Sequence, residues 1–324
     1  MALSNSFDFT VARSDIIPAA LRKLGVLAEG QSPTTNQTTY ASLALNVMLK
    51  AFQTDGLPLW YVKTGYIYPV SDINTVAMAG SGGGHWSGEL ILTKLTADST
   101  SSDTTIDVSI TAADDVVGTT ANSDNVGIEL DDGTMFWTTI SSGGGTATLT
   151  IATGLTSAAS TGARVYAYTA KQQQPEKILD VYRVNATTGA RVPLLQTPAS
   201  LILAQNQLTE STPTTWTYAE TVNAVPGTNS GTFWFWPRWS NGDEYLEIRY
   251  QHPFDDMDAD ASNLAFPAAW YEAIIYGLAL RLADEYQVPD NVYKRVGSGA
   301  QTAKDLAESA TTEGSYIRVY PETE

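Results

Sequence analysis

The chain has 324 residues, 18 Lys and Arg against 35 Asp and Glu, a formal net charge of −17, 43% hydrophobic residues, two histidines and no cysteine. That apolar fraction supports buried cores and excludes wholesale disorder, and the length suits about two domains. The charge argues against a protein that wraps nucleic acid or lies on an anionic membrane. Without cysteine there are no disulfide frameworks, thiolate zinc sites, iron–sulfur clusters or cysteine nucleophiles.

The start, MALSNSFDF, lacks the basic residues and apolar run of a signal peptide, so folding in the cytosol is expected. No stretch reaches the roughly 18 uninterrupted apolar residues of a membrane span. Residues 14–57 read as helical. Ser14 or Asp15 can cap a first helix, with Ile17, Ala20, Leu21 and Leu24 on one face and Gly25 as its stop. Pro18 is expected in the first turn, where its missing N–H has no intrahelical partner. A second helix places Tyr40, Leu43, Ala44, Val47, Met48 and Ala51 on one face and ends at Asp55-Gly56, giving an αα-hairpin.

From residue 60 to about 170 the pattern becomes β. Segments 106–110, 126–130, 135–140, 146–151 and 163–168 are short, rich in Thr, Val and Ile, and separated by turn residues. Asp131-Asp132-Gly133 reads as a hairpin turn. Such spacing suggests a small β-sandwich. Residues 86–170 hold ten acids against Lys94 and Arg164, so almost half of the net charge sits in this module. A second β region follows KQQQPEK, with strands at 178–184, 232–236 and 244–251. In YLEIRYQ, alternation puts Leu246, Ile248 and Tyr250 on one face.

The cluster FWFWPRW (233–239) is the densest aromatic patch. It reads as core or inter-domain seam, or as an interface anchored by Trp234, Trp236, Arg238 and Trp239. Pro267 suits the start of a helix with Tyr271, Ile274, Ile275, Leu278, Leu282 and Tyr286 on one face. Pro289 ends it, Asp290 can cap a further helix carrying Ala300, Ala303 and Ala307, and the tail SYIRVYPETE alternates apolar and polar residues.

Candidate chemistry is sparse. Asp256, Asp258 and Asp260 have the opening spacing of an EF-hand loop, but Ala261 replaces the required Gly and Pro267 the bidentate Glu, so no metal site is read. The glycine runs 82–84 and 143–145 lack phosphate-loop form and read as turns. His85 and His252 stand in β context without a G-x-S-x-G elbow. No catalytic or cofactor-binding residues are assigned, and an enzyme is not expected.

IIPAALRKLGV (16–26) and MLKAFQTDGLPLW (48–60), with YLEIRYQHPFDDMDADASNLAFPAAWYEAIIYGLALRLADEYQVP (245–289), resemble the head-to-tail adaptor family of short-tailed bacteriophages. GIELDDGTMFWTTI (127–140) and ARVYAYT (163–169) resemble immunoglobulin-like insertions of phage virion proteins. The likeness covers residues 14–60 and about 175–320, through packing patterns rather than catalytic signatures. It implies a virion protein at the head–tail junction. The expected partners are the portal protein, tail nozzle or tail fibre proteins, and further copies in a twelve-membered ring through which packaged DNA passes without sequence-specific binding. The segment matching the portal-binding tail contains Lys294, Arg295, Tyr316, Ile317, Arg318, Val319 and Tyr320.

The fold expected is α+β. A helical domain is drawn from residues 1–60 and 255–324, an immunoglobulin-like sandwich from 61–170, and a second β-rich region from 171–254. Two other functions fit the composition: a virion-associated polysaccharide hydrolase using a carboxylate pair, and a carbohydrate-binding module with Trp86 and Trp137 as sugar platforms.

Overall fold

A computed structural model describes residues 11–54, 62–79, 84–110, 124–221, 230–240, 242–252, 257, 259 and 268–311. They form the helices α1 (Arg13–Leu24), α2 (Thr35–Thr54), α3 (Ala199–Leu203), α4 (Tyr271–Ala283) and α5 (Asp290–Thr311), with fifteen strands, so the class is mixed α and β. These residues fall into two units, one drawn from 1–60 and 254–324, the other from 61–253.

In the first unit α4 is the central helix and packs against α1, α2 and α5. Its Tyr271, Ala273, Ile274, Leu278, Ala279, Leu282 and Ala283 are buried, so it is apolar on more than one side, as a helix with neighbours on several sides must be. Small residues let those neighbours approach. A Cβ on Gly277 would lie 2.9 Å from Met48 of α2, and one on Gly299 of α5 would lie 2.7 Å from the Tyr276 ring. Helix α1 buries Ile16, Ile17, Ala20, Leu21 and Leu24, and stops at Gly25, whose φ of 76° needs a residue without Cβ strain. Gly25 N–H donates to Arg22 O and Val26 N–H to Leu21 O, a Schellman closure.

Three local expectations change here. Helix α1 begins at Arg13, so Ser14 and Asp15 lie inside its first turn, and the Asp15 carboxylate reaches back to accept from Ala12 N–H at 3.3 Å. Pro18 is therefore the sixth helical residue, and Ser14 O loses the N–H it would otherwise receive. Helix α2 is turned from the expected face. Ala41, Leu45, Met48 and Leu49 are buried, while Tyr40 (57% exposed), Leu43 (65%) and Val47 (52%) face outward. The helix has two apolar stripes, and among the described residues only one is covered.

The second unit nests one β structure inside another. Strands β1 (Val62–Ile67), β2 (Thr75–Met78) and β3 (Trp86–Ser87) precede the inserted strands β4 (Ile91–Lys94), β5 (Thr105–Asp107), β6 (Asn125–Glu129), β7 (Met135–Ser142), β8 (Thr148–Ile151) and β9 (Arg164–Tyr168). The chain then returns as β10 (Lys177–Asn185), β11 (Arg191–Pro193), β12 (Leu195–Gln196), β13 (Thr215–Thr221), β14 (Ser230–Trp236) and β15 (Glu244–Gln251). The early and late strands make a sandwich of two sheets, β11-β10-β15-β1-β3 and β12-β13-β14-β2. Its core joins Ile67, Trp86, Val181, Leu246, Ile248 and Tyr250 from the first sheet to Val76, Trp216, Phe233 and Phe235 from the second. Leu246, Ile248 and Tyr250 face the sandwich core as their alternation predicts, while Tyr245 and Glu247 on the other face of β15 are buried as well.

The insertion is not an immunoglobulin-like sandwich, and it does not begin at residue 61. Strands β1 and β3 pair into the sheet containing β15, and β2 pairs with β14. The inserted strands form one sheet in the order β4-β9-β6-β7-β8-β5. Its two edges meet where Leu95 bridges Val108, with Thr96 N–H donating to Asp107 O and Ser109 N–H to Lys94 O. This closes a six-stranded antiparallel barrel around Leu95, Ile106, Val126, Ile128, Ile140, Leu149, Ile151 and Val165. Closure removes the free edges that two facing sheets would leave open.

Candidate functional site

Sheet alternation divides the aromatic cluster of β14. Phe233 and Phe235 point into the sandwich core, where Trp216 stacks on Phe233 with ring centroids 5.7 Å apart. Trp234 and Trp236 are half-buried on the outer side, and Trp236 Nε1 donates to Asn206 O at 3.1 Å. After the cis Trp236–Pro237 bond the chain turns inward again. Trp239 packs on Phe235 at 4.3 Å and is 4% exposed, so it is a core residue and not the interface anchor expected from its neighbours. Arg238 is held within its own fold, its Nη2 paired with Asp72 Oδ1 at 3.3 Å and with Glu210.

Of the tail candidates, Lys294 and Arg295 lie exposed on the first turns of α5. Arg295 Nη2 donates to Lys23 O at 3.0 Å, which supplies a donor to the last turn of α1. Lys23 in turn donates to Tyr276 Oη at 2.9 Å. Tyr316, Ile317, Arg318, Val319 and Tyr320 lie outside the described residues, as do Asp256, Asp258 and Asp260 of the acidic run.

The sugar-platform pair does not form. Trp86 is fully buried in the sandwich, its Nε1 donating to Gln173 O at 3.2 Å. Trp137 belongs to the barrel, half-buried, with Nε1 donating to Pro69 O at 2.9 Å. The two rings sit in different β structures, and neither is an open face.

Trp137 is part of a tyrosine-rich seam that fixes the barrel to the sandwich. Tyr68, Met135, Tyr166, Tyr168, Val184 and Tyr245 form its buried centre. Tyr68 stacks on Tyr168 at 5.1 Å, and His85 stacks on Trp137 at 3.8 Å while its Nδ1 shares a 2.9 Å hydrogen bond with Tyr168 Oη. Tyr166 Oη donates to Gly242 O at 2.7 Å, and Arg164 joins Glu129 of the barrel to Asp243 and Thr187 of the sandwich. Burial pushes the Tyr68, Tyr166 and Tyr168 hydroxyls up, and pushes His85 down to about 3, with the Lys171 charge adding to the effect. The seam is thus held neutral at its centre and charged at its rim.

At one end of the seam the β1–β2 loop, the β6–β7 hairpin and the segments at 210 and 239–240 border an open cavity of about 120 Å³. Ser71, Asp72, Asp132, Glu210, Trp239 and Ser240 give it its polar character. These residues come from four separate stretches of chain, and no spacing in the sequence connects them. Asp132 is fixed by Thr134, whose N–H and Oγ1 donate to its Oδ1 at 2.9 and 2.6 Å and lower its pKa. Trp239 Nε1 and Arg238 Nε are buried without a hydrogen-bond partner among the described residues. Among the described residues no group of three or more His, Asp or Glu side chains could hold a metal ion, and no helix is long and apolar enough to cross a membrane. Compared with known protein families and with curated proteins, the chain gives no match.

Proposed function

We propose that the chain is a structural virion protein, a head-to-tail adaptor whose copies close into a ring on a portal, extend the DNA channel and receive tail components. The observation that carries this reading is the uncovered stripe of α2. Tyr40, Leu43 and Val47 repeat at i, i+3 and i+7 on a helix whose opposite face is already satisfied by Ala41, Leu45, Met48 and Leu49. A second apolar stripe on a packed helix marks an interaction surface. A heterologous contact that closes on itself covers such a stripe in every copy without leaving a free end.

Two further features support the reading. Both ends of the chain contribute to the unit that contains α1, α2, α4 and α5, and the sequence likeness to adaptors, over 14–60 and about 175–320, includes those helices. The barrel is an insertion within an insertion, which suits an appendage added to an assembly part. The helical adaptor domain, the ring of twelve and the portal-binding tail belong to this proposal.

The test is to mix the purified chain with purified portal and image the product. A closed ring of copies on the portal is expected. Tyr40, Leu43 and Val47 should lie between neighbours, and Leu43→Asp should abolish the ring while leaving the monomer folded.

A further inference from the structure

We infer, resting on the ring reading above, that a second copy of this chain receives the α2 stripe on a leucine patch around α3 of the sandwich.

Helix α3 is five residues long and buries one of them, Ile202, while Leu201 and Leu203 on either side of it stay exposed. Leu195 of β12 and Leu208 in the turn after α3 join them, so four leucines within residues 195–208 are each more than half exposed. The stretch is held in one shape. Gln207 Nε2 donates to Ile202 O at 2.7 Å and to Gln205 O at 2.9 Å, and Trp236 on the outer side of β14 donates to Asn206 O. Apolar residues scattered singly are ordinary on a surface, whereas a group of this kind marks a contact with another molecule.

The α2 stripe fits this patch in shape and in charge. A heterologous contact needs two different surfaces on every copy, and the stripe and the patch belong to different units. Tyr40, Leu43 and Val47, at i, i+3 and i+7, are the anchors by which a helix lies along an apolar surface, and they span about 10 Å at the rise of an α-helix.

Copies that each carry a net charge of −17 repel one another, so the centre of a contact between them must lack carboxylates. No Asp or Glu occurs between Glu29 and Asp55, which bracket α2, or between Asp180 and Glu210, which bracket the patch. Arg183 and Arg191, the charged residues between Asp180 and Glu210, are paired with Glu244 and Glu247. At the borders the charges are opposite. Lys50 is the next exposed position of the α2 stripe, and residues 13–54 hold Arg13, Arg22, Lys23 and Lys50 against Asp15 and Glu29. Beside Leu208, Asp72 and Glu210 share Arg238, which leaves one negative charge in excess. Opposite charges at the rim steer two surfaces together and fix their register.

The chain has no cysteine, so a disulfide can report the contact. Full-length Leu43→Cys is mixed in turn with Leu201→Cys, Leu203→Cys and Leu208→Cys and oxidised, with and without purified portal. Thr153→Cys, at an exposed position of the barrel region, is the control partner. At least one leucine pair should give a mixed disulfide, which requires the two Cα atoms to come within about 7 Å. Leu43→Cys alone, or with the control, should give none. Leu203→Asp changes an exposed side chain, so it should keep the parent's unfolding curve and lose the ring. A ring on the portal without any mixed disulfide, a ring that survives Leu203→Asp, or Leu43→Cys linked to itself would overturn this pairing and leave the adaptor reading standing. A mixed disulfide with no ring would support the pairing and count against the adaptor reading. Absence of both ring and mixed disulfide would overturn both.

Discussion

Gly127 and Trp137 show how one side chain sets another. They are cross-strand partners on β6 and β7, and a Cβ on Gly127 would stand 2.6 Å from the indole. The ring lies over the glycine and from there reaches His85 and the Pro69 carbonyl. Gly127→Val should therefore displace Trp137 and cost about 1–3 kcal/mol in denaturant unfolding, the range for overpacking a filled core. His85 supplies a pH test. In the unfolded chain it takes a proton near 6.5, whereas burial holds it neutral to about 3 in the fold. Its contribution is complete above 6.5 and is lost as pH falls from 6.5 toward 3, on the order of 4 kcal/mol at the acid end. Unfolding curves across that window should show the slope, and His85→Gln should flatten it. Asp124 acts with the opposite sign. Burial first and Glu89 second raise its pKa, so its contribution is present below about 3.8 and lost as pH rises through the folded value. Asp124→Asn should stabilise the protein at neutral pH and leave it unchanged below about pH 3, as thermal melts at the two pH values will report.

At the scale of elements, α2 carries the clearest lesson. Its amphipathic period is plain in the sequence, but two apolar stripes share the helix, and periodicity cannot say which one α4 covers. The contact that decides it is the close approach of Met48 to Gly277, more than two hundred residues away. Leu45→Ala should cost about 2–5 kcal/mol as a core truncation, whereas Leu43→Asp and Val47→Asp should change monomer stability by no more than about 0.5 kcal/mol. Guanidinium unfolding of the three variants separates the faces. Helix α1 was more legible, because Ile17, Ala20, Leu21 and Leu24 form one stripe and Gly25 ends it without competition. The strands at 126–130, 135–140 and 163–168 were equally plain from their composition. Their closure into a barrel was not, since β4 meets both β9 and the end of β5 through pairings that no local pattern encodes. The cavity at Asp132 and Trp239 was invisible for the same reason.

For the molecule as a whole, the order of nesting matters more than the count of domains. The barrel leaves the sandwich and returns to it at one place, where Ser87 Oγ donates to Ala170 O at 2.8 Å and Gln172 N–H to Trp86 O at 3.0 Å. Replacing residues 89–169 by a short linker should thus leave a chain that still unfolds cooperatively and binds an apolar dye at the bared Tyr68 and Tyr245. Loss of cooperative unfolding would show instead that the sandwich needs the barrel. The acidic charge also takes a place in this order, since the barrel region holds ten acids against two bases while α1 and α5 carry Arg13, Arg22, Lys23, Lys294, Arg295 and Lys304. The most direct test of the adaptor reading is cryo-electron microscopy of the chain mixed with purified portal. A closed ring of copies on the portal, with the α2 stripe between neighbours, is the predicted result; chains that stay unattached at every salt concentration would contradict it.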